Sequence, residues 1–130
     1  MERIVSPIKF VPVWQIIRTE ETSPAGVENL IKDIERAGVW TCPIAIERRH
    51  FTIMDGHHRF AAAQALNLRQ LPCLAFTYAE VNVEGWNDGL PMDPTDIIRR
   101  GLRGDLYPVK STRHKFPTLE ECRIPINHLR

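Results

Sequence analysis

The chain has 130 residues, 43% of them apolar and 25% charged, with a formal net charge of +1. That length accommodates one domain with a real core, and a single domain over 1–130 is expected. So small a net charge gives no electrostatic case for nucleic acid or an anionic membrane as a partner, and no run of about 18 apolar residues is present to span a bilayer.

Met1 to Pro7 lacks the basic start and long apolar segment of a secretory signal. Cys42, Cys73 and Cys122 are odd in number and widely spaced, with no Cys-x-x-Cys, so a reduced, cytoplasmic setting is expected. Ile8 to Ile17 is apolar but interrupted by Pro12, which cannot donate to a sheet ladder; this reads as a short strand on an edge or ending there. Arg18 to Thr22 is a polar loop. Ser23-Pro24 reads as an N-cap with proline in the first helical turn, and Val27, Leu30, Ile31 and Ile34 follow at the spacing of one helix face, closed by Gly38. Pro43 to Ile46 and Phe51 to Met54 read as two strands joined by Arg48-Arg49-His50 in a hairpin.

An alanine-rich helix is expected from His58 to Leu66, with Asn67 taking the left-handed conformation that ends it. Leu71 to Phe76 is mostly apolar and reads as a strand buried on both faces. Val81 to Trp86 is a further strand candidate. Asp93-Pro94 can start a helix through Ile97, Ile98 and Leu102, closed by Gly101 or Gly104. Leu106 to His114 has no period and dense polar chemistry, so it reads as a loop. The order is a compact α+β or α/β arrangement, with helices packed on a small mixed sheet.

The chemistry concentrates at Asp55-Gly56-His57-His58-Arg59, a strand-to-helix junction with a glycine at the turn. A helix N-terminus offers unpaired N–H groups and about half a unit of positive charge, which favour anions. Cationic or hydrogen-donating side chains there disfavour the helix unless an anion occupies the site. The junction therefore outlines a phosphate pocket, and Asp55 beside it suits a metal ion or a proton acceptor. Asp55-Gly56 could also be a simple tight turn, although the polar residues that follow argue against a turn alone. A zinc site is not expected, because His57 and His58 are adjacent, point in different directions and have no Cys pair to join them.

Together, Val11-Pro12-Val13, the helix, Pro43-Ile44, the hairpin, Asp55-Gly56-His57-His58-Arg59, the alanine-rich helix and Leu71-Pro72-Cys73 resemble the ParB/sulfiredoxin superfamily. The resemblance implies an α+β fold of the ParB/sulfiredoxin-like kind, with a core over about 8–80 and an extension over 81–130 that contributes to the substrate site. Sulfiredoxin carries a catalytic cysteine in its Gly-Cys-His-Arg motif, whereas His57 stands in that place here. Chromosome-partition ParB carries a helix-turn-helix domain, for which this chain has neither the length nor the basic charge.

The closer likeness is to the free serine kinases of that superfamily, which phosphorylate L-serine with ATP or ADP. It implies Asp55, Gly56, His57, His58 and Arg59 around the phosphates, with Asp55 on Mg²⁺. It further implies Glu20, with Glu21 as its neighbouring candidate, as the base that takes the serine proton, and Thr112, Arg113 and His114 on the amino acid. Read without the resemblance, Glu20 and Glu21 are ordinary solvated loop charges, and a surface loop with a structural arginine is the alternative for Thr112-Arg113-His114. The rival readings are a kinase of another small hydroxy compound and a non-catalytic nucleotide-binding module of ParB type. Trp14, Trp40 and Trp86 are most simply packing residues, Cys42 and Cys73 small core residues, and Arg99-Arg100 a solvated helix face.

Overall fold

A computed structural model describes residues 7–130; the reading of Met1 to Ser6 lies outside the described residues. Strand β1 (Lys9–Pro12) is followed by a last cross-chain bond from Val13 N–H to Arg69, at 2.9 Å, as the chain enters a single 3-10 turn, Val13–Gln15. Helix α1 (Pro24–Ala37) begins as the sequence dictates: the Ser23 hydroxyl accepts from Gly26 N–H at 3.0 Å, a cap that stabilises a helix start by about 1 kcal/mol. It ends at Gly38 in the left-handed conformation. Its Val27, Leu30, Ile31 and Ile34 stripe packs on the core.

β2 (Val39–Trp40) leads into β3 (Ile44–Glu47) and β4 (Ile53–Asp55), which form the expected antiparallel hairpin. The buried Glu47 closes the hairpin turn by accepting from the N–H groups of Arg49 and His50, at 2.8 and 2.7 Å. Helix α2 (His57–Ala65) follows β4 directly, and Asn67 takes a positive φ of 57° beyond its end. Strand β5 (Gln70–Phe76) then returns between β1 and β3, parallel to β3 and antiparallel to β1, in the sheet order β1-β5-β3-β4. Its position inside the sheet explains its nearly uniform apolar run. Ala62 and Ala63 are fully buried, so the small side chains let α2 sit close to the sheet and to α1.

In the tail, β6 (Asn82–Gly85) precedes α3 (Pro94–Arg103), whose Asp93 cap accepts from Thr95 N–H at 2.9 Å. Gly104, not Gly101, is the C-cap of α3. Gly101 is buried inside the helix and serves close approach instead. A Cβ there would come within 2.9 Å of Thr19 Cγ2 and 3.1 Å of Thr52 Cγ2.

The loop expected from Leu106 to His114 is corrected at its end: Thr112–Lys115 is a strand, β7, paired antiparallel with β6. A last short strand, β8 (Ile124–Pro125), pairs with β2. The result is the mixed α+β architecture expected. Among the described residues no helix is long and apolar enough to cross a membrane. Cys42, Cys73 and Cys122 are free thiols.

Candidate active site

Glycine is required at the strand-to-helix junction. Gly56 has φ 110°, and a Cβ there would lie 2.8 Å from Ile44 Cδ1 and 3.3 Å from an Arg59 terminal nitrogen. This turn swings the chain from β4 straight into α2, so the first N–H groups of α2 open on one cleft. Arg59, in the first turn of α2, donates to Asp55 at 3.3 Å, while its Nε is buried without a partner. A buried guanidinium N–H lacking an acceptor is costly unless something fills the space beside it, and an anion is the natural acceptor.

The segment before α1 runs along the start of β4 and then beneath Tyr107. Ile17 N–H donates to Phe51 at 2.9 Å, and Ile53 N–H donates to Ile17 at 2.8 Å. Tyr107 N–H donates to Thr19 at 2.9 Å, and Glu21 N–H donates to Tyr107 at 2.8 Å. Glu20 lies between these bonds, 6% exposed, with its side chain turned inward. Its Oε1 accepts from the Thr112 N–H at 2.7 Å and from the Thr112 hydroxyl. Both donors meet one oxygen, which leaves Oε2 as the free lobe of the carboxylate. Glu21 is exposed and does not line the cleft.

The cleft has a volume of about 410 Å³, within the range of small-molecule sites. Glu20, Asp55, Gly56, His57, His58, Arg59, Thr112, Arg113 and His114 all line it. All the expected site residues except the alternative base Glu21 are thus brought to one place, Glu20 and Thr112 among them from positions 92 residues apart. The two histidines of the junction bond backbone amides, not each other: Thr19 N–H donates to His57 Nε2 and Ser23 N–H to His58 Nε2, both at 3.0 Å. Burial pushes the His57 pKa down to about 3, with His114, His58 and Arg18 adding to the effect. His57 is therefore neutral near pH 7.

His114 bonds the Tyr78 hydroxyl through Nε2 at 2.8 Å, and its Nδ1 is buried without a partner. Burial pushes its pKa down to about 4. Sequence reasoning missed Trp86 and Lys110 as cleft residues. The Arg113 guanidinium lies 5.0 Å over the Trp86 ring, a cation–π contact that holds both at the cleft wall. Trp86 follows β6 and Arg113 lies on β7, so only the pairing of these strands reveals the contact. Trp40 is a core residue, whereas Trp14 is 81% exposed. Arg100 stacks on Tyr107 and stays outside the cleft.

A larger hollow of about 1040 Å³ lies elsewhere, beside Trp14, Arg18, Arg69 and Arg130. Among the described residues, no acidic or histidine side chain lines it, which makes it a poorer match for acid–base chemistry than the first cleft.

No family model matches the chain. Among curated proteins, it is 27% identical over 110 residues to an ATP-dependent L-serine kinase from Desulfurococcus mucosus, spanning 80% of this chain and 43% of that protein. It is 35% identical over 101 residues to a ParB-like protein from Sulfolobus acidocaldarius, spanning 76% of this chain and 46% of the relative. The chain thus spans less than half the length of these relatives. Among solved structures, a free serine kinase in complex with AMP superposes with a TM-score of 0.87 at 13% identity, covering 98% of this chain and 95% of that one. The fold expected from the resemblance is borne out, and so is the resemblance to the free serine kinases itself.

Proposed function

We propose that the chain is a free serine kinase of the ParB/sulfiredoxin-like superfamily, transferring a phosphoryl group from ATP or ADP to L-serine and giving O-phospho-L-serine. One observation carries this reading: the Glu20 carboxylate and the N-terminal turn of α2 line the same cleft, together with Thr112, Arg113 and His114. Phosphoryl transfer asks a protein mainly for positioning and charge neutralisation, and these are the groups the cleft contains. The names of the curated relative and of the solved neighbour support the same substrate and an adenine nucleotide.

In this reading the backbone N–H groups at the start of α2 and the Arg59 guanidinium hold the phosphates. Glu20, through its free Oε2, accepts the proton of the serine hydroxyl, a contribution of about 10²–10⁴-fold for a well-placed base. Arg113 faces the carboxylate of the amino acid, Thr112 links it to Glu20, and the unpartnered Nδ1 of His114 supplies a further polar contact. Residues 8–80 form the nucleotide-binding core, and 81–130 complete the acceptor side.

Asp55 fits a magnesium ion. Its side chain is 54% exposed, and among the described residues no cluster of three His, Cys, Asp or Glu side chains forms a protein cage. Mg²⁺ keeps its waters and needs only one or two carboxylates besides phosphate oxygens. When bound, it would neutralise charge on the transferring phosphate. The free thiols support a reducing, cytoplasmic setting for the reaction.

The test is phosphorus NMR of the purified chain with Mg²⁺, ATP or ADP, and a panel of hydroxy amino acids. A phosphomonoester signal that needs L-serine is expected. Nucleotide binding with no acceptor-dependent turnover would favour a ParB-type regulatory module instead.

A further inference from the structure

Thr19 and Ser23 bracket Glu20 in the chain, and each gives its backbone N–H to a different histidine of α2. Thr19 N–H donates to His57 Nε2, and Ser23 N–H donates to His58 Nε2, both at 3.0 Å. A backbone N–H can only donate, so Nε2 is the acceptor in both rings and the ring proton of each neutral imidazole sits on Nδ1. Thr19 is fully buried, and without His57 its N–H would be a buried donor lacking a partner. The Thr19 hydroxyl lies 3.1 Å from the same Nε2. His58 is seated on the other side by α1, where a Cβ on Gly26 would lie 3.0 Å from its Cδ2.

We propose that His57 and His58 are positioning residues: a pair of imidazole acceptors that ties both ends of the 19–23 segment to the phosphate-binding turn of α2. The base and the phosphates then share one rigid frame. Adjacent residues at a helix start leave in different directions, and here one ring reaches the beginning of the segment while the other reaches its end. Their Nε2 atoms are taken by these amides, which leaves each ring only its Nδ1–H to donate. A displacement of about 1 Å at a reacting group costs on the order of 10²-fold in rate, which is the size of effect such a frame prevents.

Only the kinetic arm of the test rests on the kinase reading. Long-range proton–nitrogen correlation spectra of the wild-type protein report the tautomers, with protonated Nδ1 and acceptor Nε2 expected in both rings. Amide exchange at Thr19 and Ser23 is expected to be slow in the wild type. It should accelerate at the facing amide in His57→Ala and His58→Ala, and slow again in His57→Gln and His58→Gln, where the side-chain carbonyl replaces Nε2. In the kinetic arm, each Ala variant should lower kcat by about 10²-fold with nucleotide Kd nearly unchanged, and each Gln variant should restore it.

The proposal is overturned if either ring carries its proton on Nε2, or if Ala variants keep wild-type exchange and kcat. It is equally overturned if Ala and Gln variants alike lose nucleotide affinity, which would make the rings phosphate ligands. Should His57→Ala fail to fold, the part-buried His58 pair of variants decides. A wild-type protein without turnover would sink the kinase reading, while tautomers and exchange would still decide the clamp.

Discussion

Glu20 and Thr112 meet across 92 residues of chain: one carboxylate oxygen of Glu20 accepts both the backbone N–H and the hydroxyl of Thr112. The contact joins the loop before α1 to β7, and so joins the candidate base to the candidate acceptor site. Two donors on Oε1 fix the plane of the carboxylate and leave Oε2 available for a proton.

Glu20→Gln keeps an acceptor for Thr112 and removes the basic oxygen. Turnover should fall by about 10²–10⁴-fold with nucleotide affinity nearly intact. Glu21→Gln, at an exposed side chain outside the cleft, should leave both unchanged. Steady-state kinetics beside calorimetric nucleotide titration measures the two separately. Equal rates for wild type and Glu20→Gln would remove the base assignment.

Arg59 tests the phosphate wall. Its buried, unpartnered Nε is a donor for an anion. Arg59→Ala should weaken nucleotide binding by about 10–100-fold, the range of a hydrogen bond to a charged group. Arg59→Lys should recover little, because an ammonium cannot offer two parallel N–H groups. Full affinity in Arg59→Lys would mean that only charge matters there.

Gly56→Ala introduces a side chain at φ 110° and a contact of 2.8 Å with Ile44 Cδ1. A backbone conformation of this kind costs a non-glycine residue about 1–3 kcal/mol, before the clash is added. A clear drop in melting temperature is expected, with weaker nucleotide binding in whatever folds. Unchanged values of both would show that the turn can relax.

Stability should depend on pH through His57 and His114. Burial pushes their folded pKa values from 6.5 down to about 3 and about 4. Between 6.5 and those values the unfolded chain binds protons that the folded chain does not, so stability falls as pH falls through this window. A fully responsive group contributes a slope of about 1.4 kcal/mol per pH unit. Urea titrations from neutral to mildly acid pH should show the loss, and His114→Gln should remove about half of the slope, leaving the part due to His57. Stability that stays level from neutral pH down to pH 5 would contradict the burial of both rings.

What could be read from the sequence was local. Ser23, Pro24 and Gly38 delimit α1 by rules acting within a few residues, and Asp55-Gly56 marks its turn because only glycine takes that φ freely. The strand at Thr112–Lys115 escaped because its residues are polar and alternately exposed, and its register is set by β6 some 30 residues earlier. The two-residue strands β2 and β8 are too short to carry a period. Trp86 read as packing because nothing near it in sequence names Arg113 as its neighbour. The junction histidines read as phosphate donors from their place at a helix start; their partners, Thr19 and Ser23, lie 38 and 35 residues upstream.

The most direct test of the central claim is a crystal structure of the chain with a non-hydrolysable ATP analogue, Mg²⁺ and L-serine. The account predicts the terminal phosphate at the start of α2 beside Arg59, and the serine hydroxyl within hydrogen-bond reach of Glu20 Oε2. Nucleotide seated in the hollow beside Trp14, or serine bound away from Glu20, would contradict it.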